Sequence, residues 1–199
     1  MPGFTEGGPW TYLFCIMQDV LGAVELMGGS LKFAAKLDEN FSGGHYRHDN
    51  EPGHHYTYLY NYCGQPWKTQ ERVREALERN YHNAPDGLSG NDDCGQMSAW
   101  YIFSAIGFYP VTPCTTLYAI GSPIFEKVSI KLDQPYKRGT FTVLAKNQSA
   151  QNKYIQSATL NGKPLNEPFI KHSEITNGST LEFVMGPRPN KKWGVKPGA

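Results

Sequence analysis

The hydrophobic pattern of this chain changes period near Pro113, and that change constrains the fold more than any other feature. Ahead of Pro113 apolar residues recur at helical spacing, and beyond it they alternate, so helices come first and strands follow. Residues 1–112 therefore read as a helical region, residues 113–199 as a β-rich one, and the fold class as α+β.

In the first region, Pro9 to Met27 sets Trp10, Leu13, Phe14, Met17, Leu21 and Val24 on one face and ends at Gly28-Gly29. Leu31 to Phe41 repeats the pattern, and a polar, His-containing loop follows from Ser42 to Gly53. His54 to Cys63 is predicted as a short aromatic helix capped by Gly64. Lys68 to His82 is amphipathic, with Val73, Ala76, Leu77 and Tyr81 inward, and Gln96 to Ile106 runs to Gly107. Beyond Pro113, strands are predicted at Thr116 to Ile120, Lys127 to Leu132, Thr140 to Ala145, Ile155 to Leu160 and Thr180 to Met185. Asn161-Gly162 marks a hairpin, and the whole reads as a β-sandwich or part of one.

With 199 residues, 39% of them hydrophobic, the chain can bury a core. Nineteen basic against 18 acidic residues, with no Lys/Arg cluster, argue against nucleic acid or an anionic membrane as partner. No apolar run is long enough to cross a bilayer, so membrane insertion is not expected, and the start Met-Pro-Gly-Phe reads as lacking the pattern expected of a secretory leader. Three Asn-x-Ser triplets, at Asn40, Asn147 and Asn177, nevertheless point to an extracellular setting. Cys15, Cys63, Cys94 and Cys114 show no CxxC spacing, and Cys15 and Cys63 fall within helical patterns as small core residues.

The chemistry-bearing segments are loops that open helices. Asp92 and Asp93 sit on a Gly-flanked turn before the Gln96 helix, whose N-terminal N–H groups favour negative charge. Glu6 precedes Gly7, Gly8 and Pro9, and Glu51 follows Asn50 and precedes Pro52-Gly53. Each carboxylate either caps its helix or does chemical work, as a proton carrier or a ligand for a hard cation. Their recurrence at successive helix starts suggests a shared pocket. His54 and His55 diverge by about 100° on a helix and lack a third zinc ligand, which favours packing or sugar contact. Trp10, Trp67 and Trp100 are either core residues or stacking platforms.

Together these motifs resemble glycoside hydrolase family 92, the calcium-dependent exo-acting α-mannosidases that invert anomeric configuration. The likeness runs in order through Glu-Gly-Gly-Pro-Trp (6–10), Asn-Glu-Pro-Gly-His-His (50–55), Tyr-Asn-Tyr-Cys-Gly-Gln-Pro-Trp (60–67) and Gly-Asn-Asp-Asp-Cys-Gly-Gln-Met-Ser-Ala-Trp-Tyr (90–101). It continues through Gly-Phe-Tyr-Pro (107–110), Ile-Gly-Ser-Pro (120–123) and Tyr-Ile-Gln-Ser-Ala (154–158). The resemblance implies an N-terminal β-sandwich followed by an (α/α)6 barrel, with this chain as the later barrel helices and a C-terminal strand-rich segment. An N-terminal domain is then expected in cis, and the chain is expected to be a fragment.

The family match also implies roles. Glu6 would be the general acid, kept protonated by desolvation beside Trp10, and Asp93 the general base. Asn50, Glu51, His54, Asn91 and Asp92 would contact substrate, a mannose-containing glycan, and Glu51 would help hold Ca2+. Asn91 stands where some members carry a further acid, and Gln18-Asp19 where many carry His-Asp. Two other readings are a noncatalytic carbohydrate-binding or structural fragment and a glycoprotein-deglycosylating amidase. No Cys-His-Asp spacing supports a nucleophilic mechanism for the latter.

Overall fold

In the computed structural model, residues 3–136 and 139–195 are described. The fold class is α+β, as the change of period predicts. The helices are α1 (Pro9–Leu13), α2 (Val20–Leu26), α3 (Ser30–Ser42), α4 (Pro66–Asn80), α5 (Gln96–Ile106) and α6 (His172–Thr176). Tyr56–Cys63 forms a 3-10 helix, preceded by a shorter one at Glu51–Gly53. The strands are β1 (Phe108–Tyr109), β2 (Leu117–Ile120), β3 (Lys127–Leu132), β4 (Gly139–Lys146), β5 (Tyr154–Leu160), β6 (Lys163–Pro164), β7 (Phe169–Lys171) and β8 (Thr180–Gly186).

The helix predicted from Pro9 to Met27 is two helices, because tertiary partners claim the backbone between them. Phe14 carbonyl accepts from His55 Nε2 at 2.7 Å, and Met17 carbonyl accepts from Thr112 Oγ1 at 2.6 Å. A new helix then starts where the Asp19 side chain accepts the Gly22 N–H at 2.8 Å. The aromatic segment adopts the tighter 3-10 form, in which residues three apart, such as Tyr58 and Asn61, share a face while Tyr60 points to another. Tyr58 donates to Ser104 Oγ at 2.7 Å, Tyr60 to Asp38 at 2.8 Å, and Asn61 Nδ2 to the Ile120 and Pro168 carbonyls at 2.9 and 3.1 Å. Gly64 ends it at φ 72°, a left-handed cap.

The sheets run β1-β2-β7 and β3-β4-β8-β5-β6, antiparallel except for the β4–β8 pair. Asn161 (φ 51°) and Gly162 (φ 76°) make the tight turn that pairs Leu160 with Lys163. Alternation in the small sheet joins the two halves. Phe108, Ile120 and Ile170 face the five-stranded sheet with Phe141, Val143 and Phe183, whereas Tyr109, Ala119 and Phe169 face the helical core with Tyr58, Leu59 and Trp100. Since β1 precedes Pro113 and pairs with β2 beyond it, this sheet spans the change of period. The side chain of Asn40 is wholly buried and donates to Trp10 carbonyl at 3.3 Å, so that triplet is no glycan acceptor in the folded chain. Asn147 and Asn177 are exposed. All four cysteines are free.

Candidate active site

Three loops meet at the N-terminal ends of α1, the first 3-10 turn and α5. They enclose a cavity of about 310 Å³ lined by Glu6, Thr11, Arg47, Asp49, Asn50, Asn91 and Asp93. Glu6 has φ 58°, left-handed for a residue with a side chain, and Gly7 follows where a β-carbon would lie 2.8 Å from Thr11 Cβ. In the second loop Arg47 Nε donates to Asp49 Oδ1 at 2.8 Å, with a second bond from Nη2 to Oδ2. That hydrogen bonding, more than the charge itself, holds the Asp49 carboxyl below its ordinary range. Asn50 Oδ1 accepts the Glu51 N–H at 3.1 Å, and its Nδ2 donates to Glu6 Oε2 at 3.3 Å, joining the first two loops.

The third loop approaches the second backbone to backbone. A β-carbon on Gly90 would overlap the Asp49 carbonyl oxygen, so only glycine permits this contact. Asp93, Cys94 and Gly95 then take φ of 44°, 60° and 86°, a left-handed run that swings the chain into α5. Left-handed backbone at both Glu6 and Asp93 is strain of the kind that gathers at functional sites.

Several expected positions lie elsewhere. The Asp92 carboxylate accepts the N–H and the hydroxyl of Ser98, both at 2.8 Å; it caps α5, is held below the ordinary carboxylate range by those bonds, and does not line the cavity. Glu51 is half-buried in the first 3-10 turn and is likewise off the lining. His54 is 2% exposed, with Nε2 on the His48 carbonyl at 3.0 Å, so a direct sugar contact gives way to packing. Trp10 lies flat on His45 under Lys36, which leaves Glu6 exposed instead of desolvated by the indole, and Trp100 is wholly buried. Arg47, Asp49 and Thr11 were not foreseen. The opposite charges two residues apart, directly ahead of Asn50-Glu51, were the available signal.

Behind the cavity stand neutral imidazoles. Burial pushes His48 down to about 3 and His55 down to about 4 from an ordinary 6.5. As pH falls below 6.5, the unfolded chain takes up protons that the fold refuses. Stability then declines by up to about 1.4 kcal/mol per pH unit for each histidine. Urea midpoints at pH 7 and pH 5 test this: a lower midpoint at pH 5 is expected, and equal midpoints contradict it.

A larger cavity of about 710 Å³ lies between α4 and α5, beside Arg74, Tyr81 and Tyr101, but its only lining carboxylate is Glu78. The smaller one is lined by three carboxylates, Glu6, Asp49 and Asp93.

A solvent-reached cavity lined by acid and amide side chains from three loops offers groups able to exchange protons and hydrogen-bond a polar ligand. Residues 1–187 match the glycosyl hydrolase family 92 catalytic domain, and the chain belongs to that family. It is similar to a family GH92 α-mannosidase from Bacteroides thetaiotaomicron at 42% identity and a TM-score of 0.90, covering 96% of this chain and 26% of that one. A family GH92 inverting mannosidase from the same bacterium is 38% identical with a TM-score of 0.89, covering 98% and 29% of the respective chains. An uncharacterized secreted glycosidase of Arthroderma benhamiae is 34% identical over 197 residues, 96% of this chain and 24% of the relative. This chain thus spans about a quarter of the length of such relatives.

Proposed function

We propose that this chain is part of the catalytic region of an inverting exo-α-mannosidase acting on α-1,2-linked mannosides of N-glycans or mannan. The observation that carries the reading is the shared cavity of Glu6 and Asp93, residues 87 positions apart whose loops are tied by Asn50 and Gly90. In the proposed reaction Asp93 accepts a proton from water as the water oxygen attacks the anomeric carbon. The glycosidic C–O bond breaks, and Glu6 gives its proton to the departing oxygen. Asn50 and Asn91 offer amide groups to sugar hydroxyls, and the Arg47–Asp49 pair keeps that wall rigid.

Residues 1–112 would be later helices of an (α/α)6 barrel and residues 113–199 its β-rich extension, with an N-terminal β-sandwich in cis. Secretion is supported by the likeness to the secreted glycosidase of Arthroderma benhamiae. Ca2+ is included from the family resemblance, but the fit within this chain is incomplete. Ca2+ takes six to eight oxygens. Glu51 lies off the cavity wall, and the described residues contain no group of three or more His, Cys, Asp or Glu able to hold a metal. Glu51 and Asn50 would supply oxygens to a shell completed from outside these residues, and no step above passes through the cation.

Hydrolysis of α-1,2-linked mannobiose by the complete gene product, with and without chelator, tests the reading. Release of mannose is expected, reduced by chelator and restored by Ca2+. No release overturns the activity, and release indifferent to chelator overturns the calcium part.

A further inference from the structure

Behind the cavity wall, a set of buried hydrogen bonds joins the loop of Asn50 to the helix that follows Asp93. From it we infer that Gln96 and His54 are positioning residues that set the separation of the Glu6 and Asp93 carboxylates; the inference rests on the reading of the site given above.

The bonds have a fixed polarity. His54 Nε2 lies 3.0 Å from the His48 carbonyl, which can only accept, so Nε2 carries the hydrogen and Nδ1 presents a lone pair. Gln96 Nε2 meets that lone pair at 3.3 Å and donates its second hydrogen to Tyr109 Oη at 2.9 Å. The amide is thereby oriented with nitrogen toward the histidine. The backbone of His54 is held as well, its carbonyl accepting from Trp100 Nε1 at 2.9 Å.

His48 is fixed by the same logic. Tyr81 Oη donates to the Met97 carbonyl at 3.1 Å, so it accepts from His48 Nε2 at 2.8 Å. His48 Nδ1 then accepts from Tyr46 Oη at 2.7 Å. Gln96, Met97 and Trp100 all belong to the first turns of α5, directly after the left-handed run at Asp93. His48 lies two residues before Asn50, whose Nδ2 reaches Glu6 Oε2. A hydrogen-bonded and covalent path therefore runs from the turn of Asp93 through Gln96, His54, His48 and Asn50 to Glu6.

Neither Gln96 nor His54 lines the cavity, so neither meets the sugar there. Their effect is on distance. An inverting site needs room for one water between its carboxyl groups, and a misplacement of about 1 Å costs on the order of 100-fold in rate. With His54 and His48 at 2% and 3% exposure, water does not readily replace a lost partner.

Gln96→Glu keeps the side-chain size but replaces the neutral amide that donates to both His54 and Tyr109 with a part-buried carboxyl that must share a proton or charge with the imidazole, whereas Gln96→Met deletes both bonds and adds no charge. In the complete gene product acting on α-1,2-linked mannobiose, kcat is expected to fall about 30- to 100-fold in Gln96→Glu and about tenfold in Gln96→Met. KM should stay within about twofold in both, because the cavity-lining groups are intact. Rates are taken per folded molecule, measured by circular dichroism, and Gln96→Met carries the test where Gln96→Glu does not fold. A kcat within twofold of wild type overturns the inference, as does a loss that disappears on normalising to folded protein. Glu6→Gln and Asp93→Asn are assayed alongside. If they lose turnover while the Gln96 variants keep it, only the positioning role fails; if they keep it, the reading of the site fails.

Discussion

Asp93→Asn and Glu6→Gln in the complete gene product will each lower kcat on α-1,2-linked mannobiose by about 10²- to 10⁴-fold, the range of a lost acid or base. Both substitutions are isosteric and both residues are exposed, so stability should change by no more than about 0.5 kcal/mol. Asparagine tolerates the left-handed φ of 44° at position 93, and glutamine at position 6 still offers an oxygen to Asn50 Nδ2. The two losses differ in kind. A mannoside with a good leaving group, such as a nitrophenolate, needs no protonation of the departing oxygen. It should therefore rescue Glu6→Gln and leave Asp93→Asn impaired, and steady-state kinetics on both substrates reads this directly. Equal rescue of both variants would remove the distinction between acid and base.

The second large effect is on stability. Trp100→Ala should cost about 3–5 kcal/mol. Its indole is wholly buried, stacked on Tyr81 at 5.8 Å and 3°, and met edge-on by His48 at 4.2 Å. Truncation leaves a void that these rings cannot close and strips the His54 carbonyl of its donor. At about 2–4 °C per kcal/mol for a chain of this size, the melting temperature should drop by at least about 6 °C. A drop under about 3 °C would show that the rings collapse into the space. Because Trp100, on α5, packs on His48 and holds the His54 carbonyl, either side of Asn50, turnover should fall faster on warming than it does in wild type.

Much of the fold is legible because long elements carry their own signals. Gln96–Ile106 and Lys127–Leu132 coincide with the predicted helix and strand, since period and stop residues agree there. Asn161-Gly162 turns where it should. What the sequence hides is decided at a distance. The break at Phe14–Asp19 follows from His55 and Thr112 taking carbonyls, although the side-chain spacing is helical throughout. Strands β1, β6 and β7, two or three residues long, have too few positions for an alternation to show.

The site divides in the same way. Glu6, Asn50, Asn91 and Asp93 come to one cavity from loops whose glycines were visible in the sequence. Asp92 was not separable from its neighbour on charge alone, because its partners, the N–H and hydroxyl of Ser98, are set by the turn that follows. His54 looked available for sugar because nothing local shows that Gln96, 42 residues on, would take its ring. Arg47 and Asp49 pair across a single residue and read as surface charge until the Gly90 loop closes over Asp49.

The most direct measurement is the anomeric form of the first mannose released from α-1,2-linked mannobiose by the complete gene product, followed by proton NMR before mutarotation. Water delivered by Asp93 on the face opposite Glu6 gives β-mannose first. α-Mannose appearing first would mean double displacement and would contradict an acid and a base working across one sugar ring.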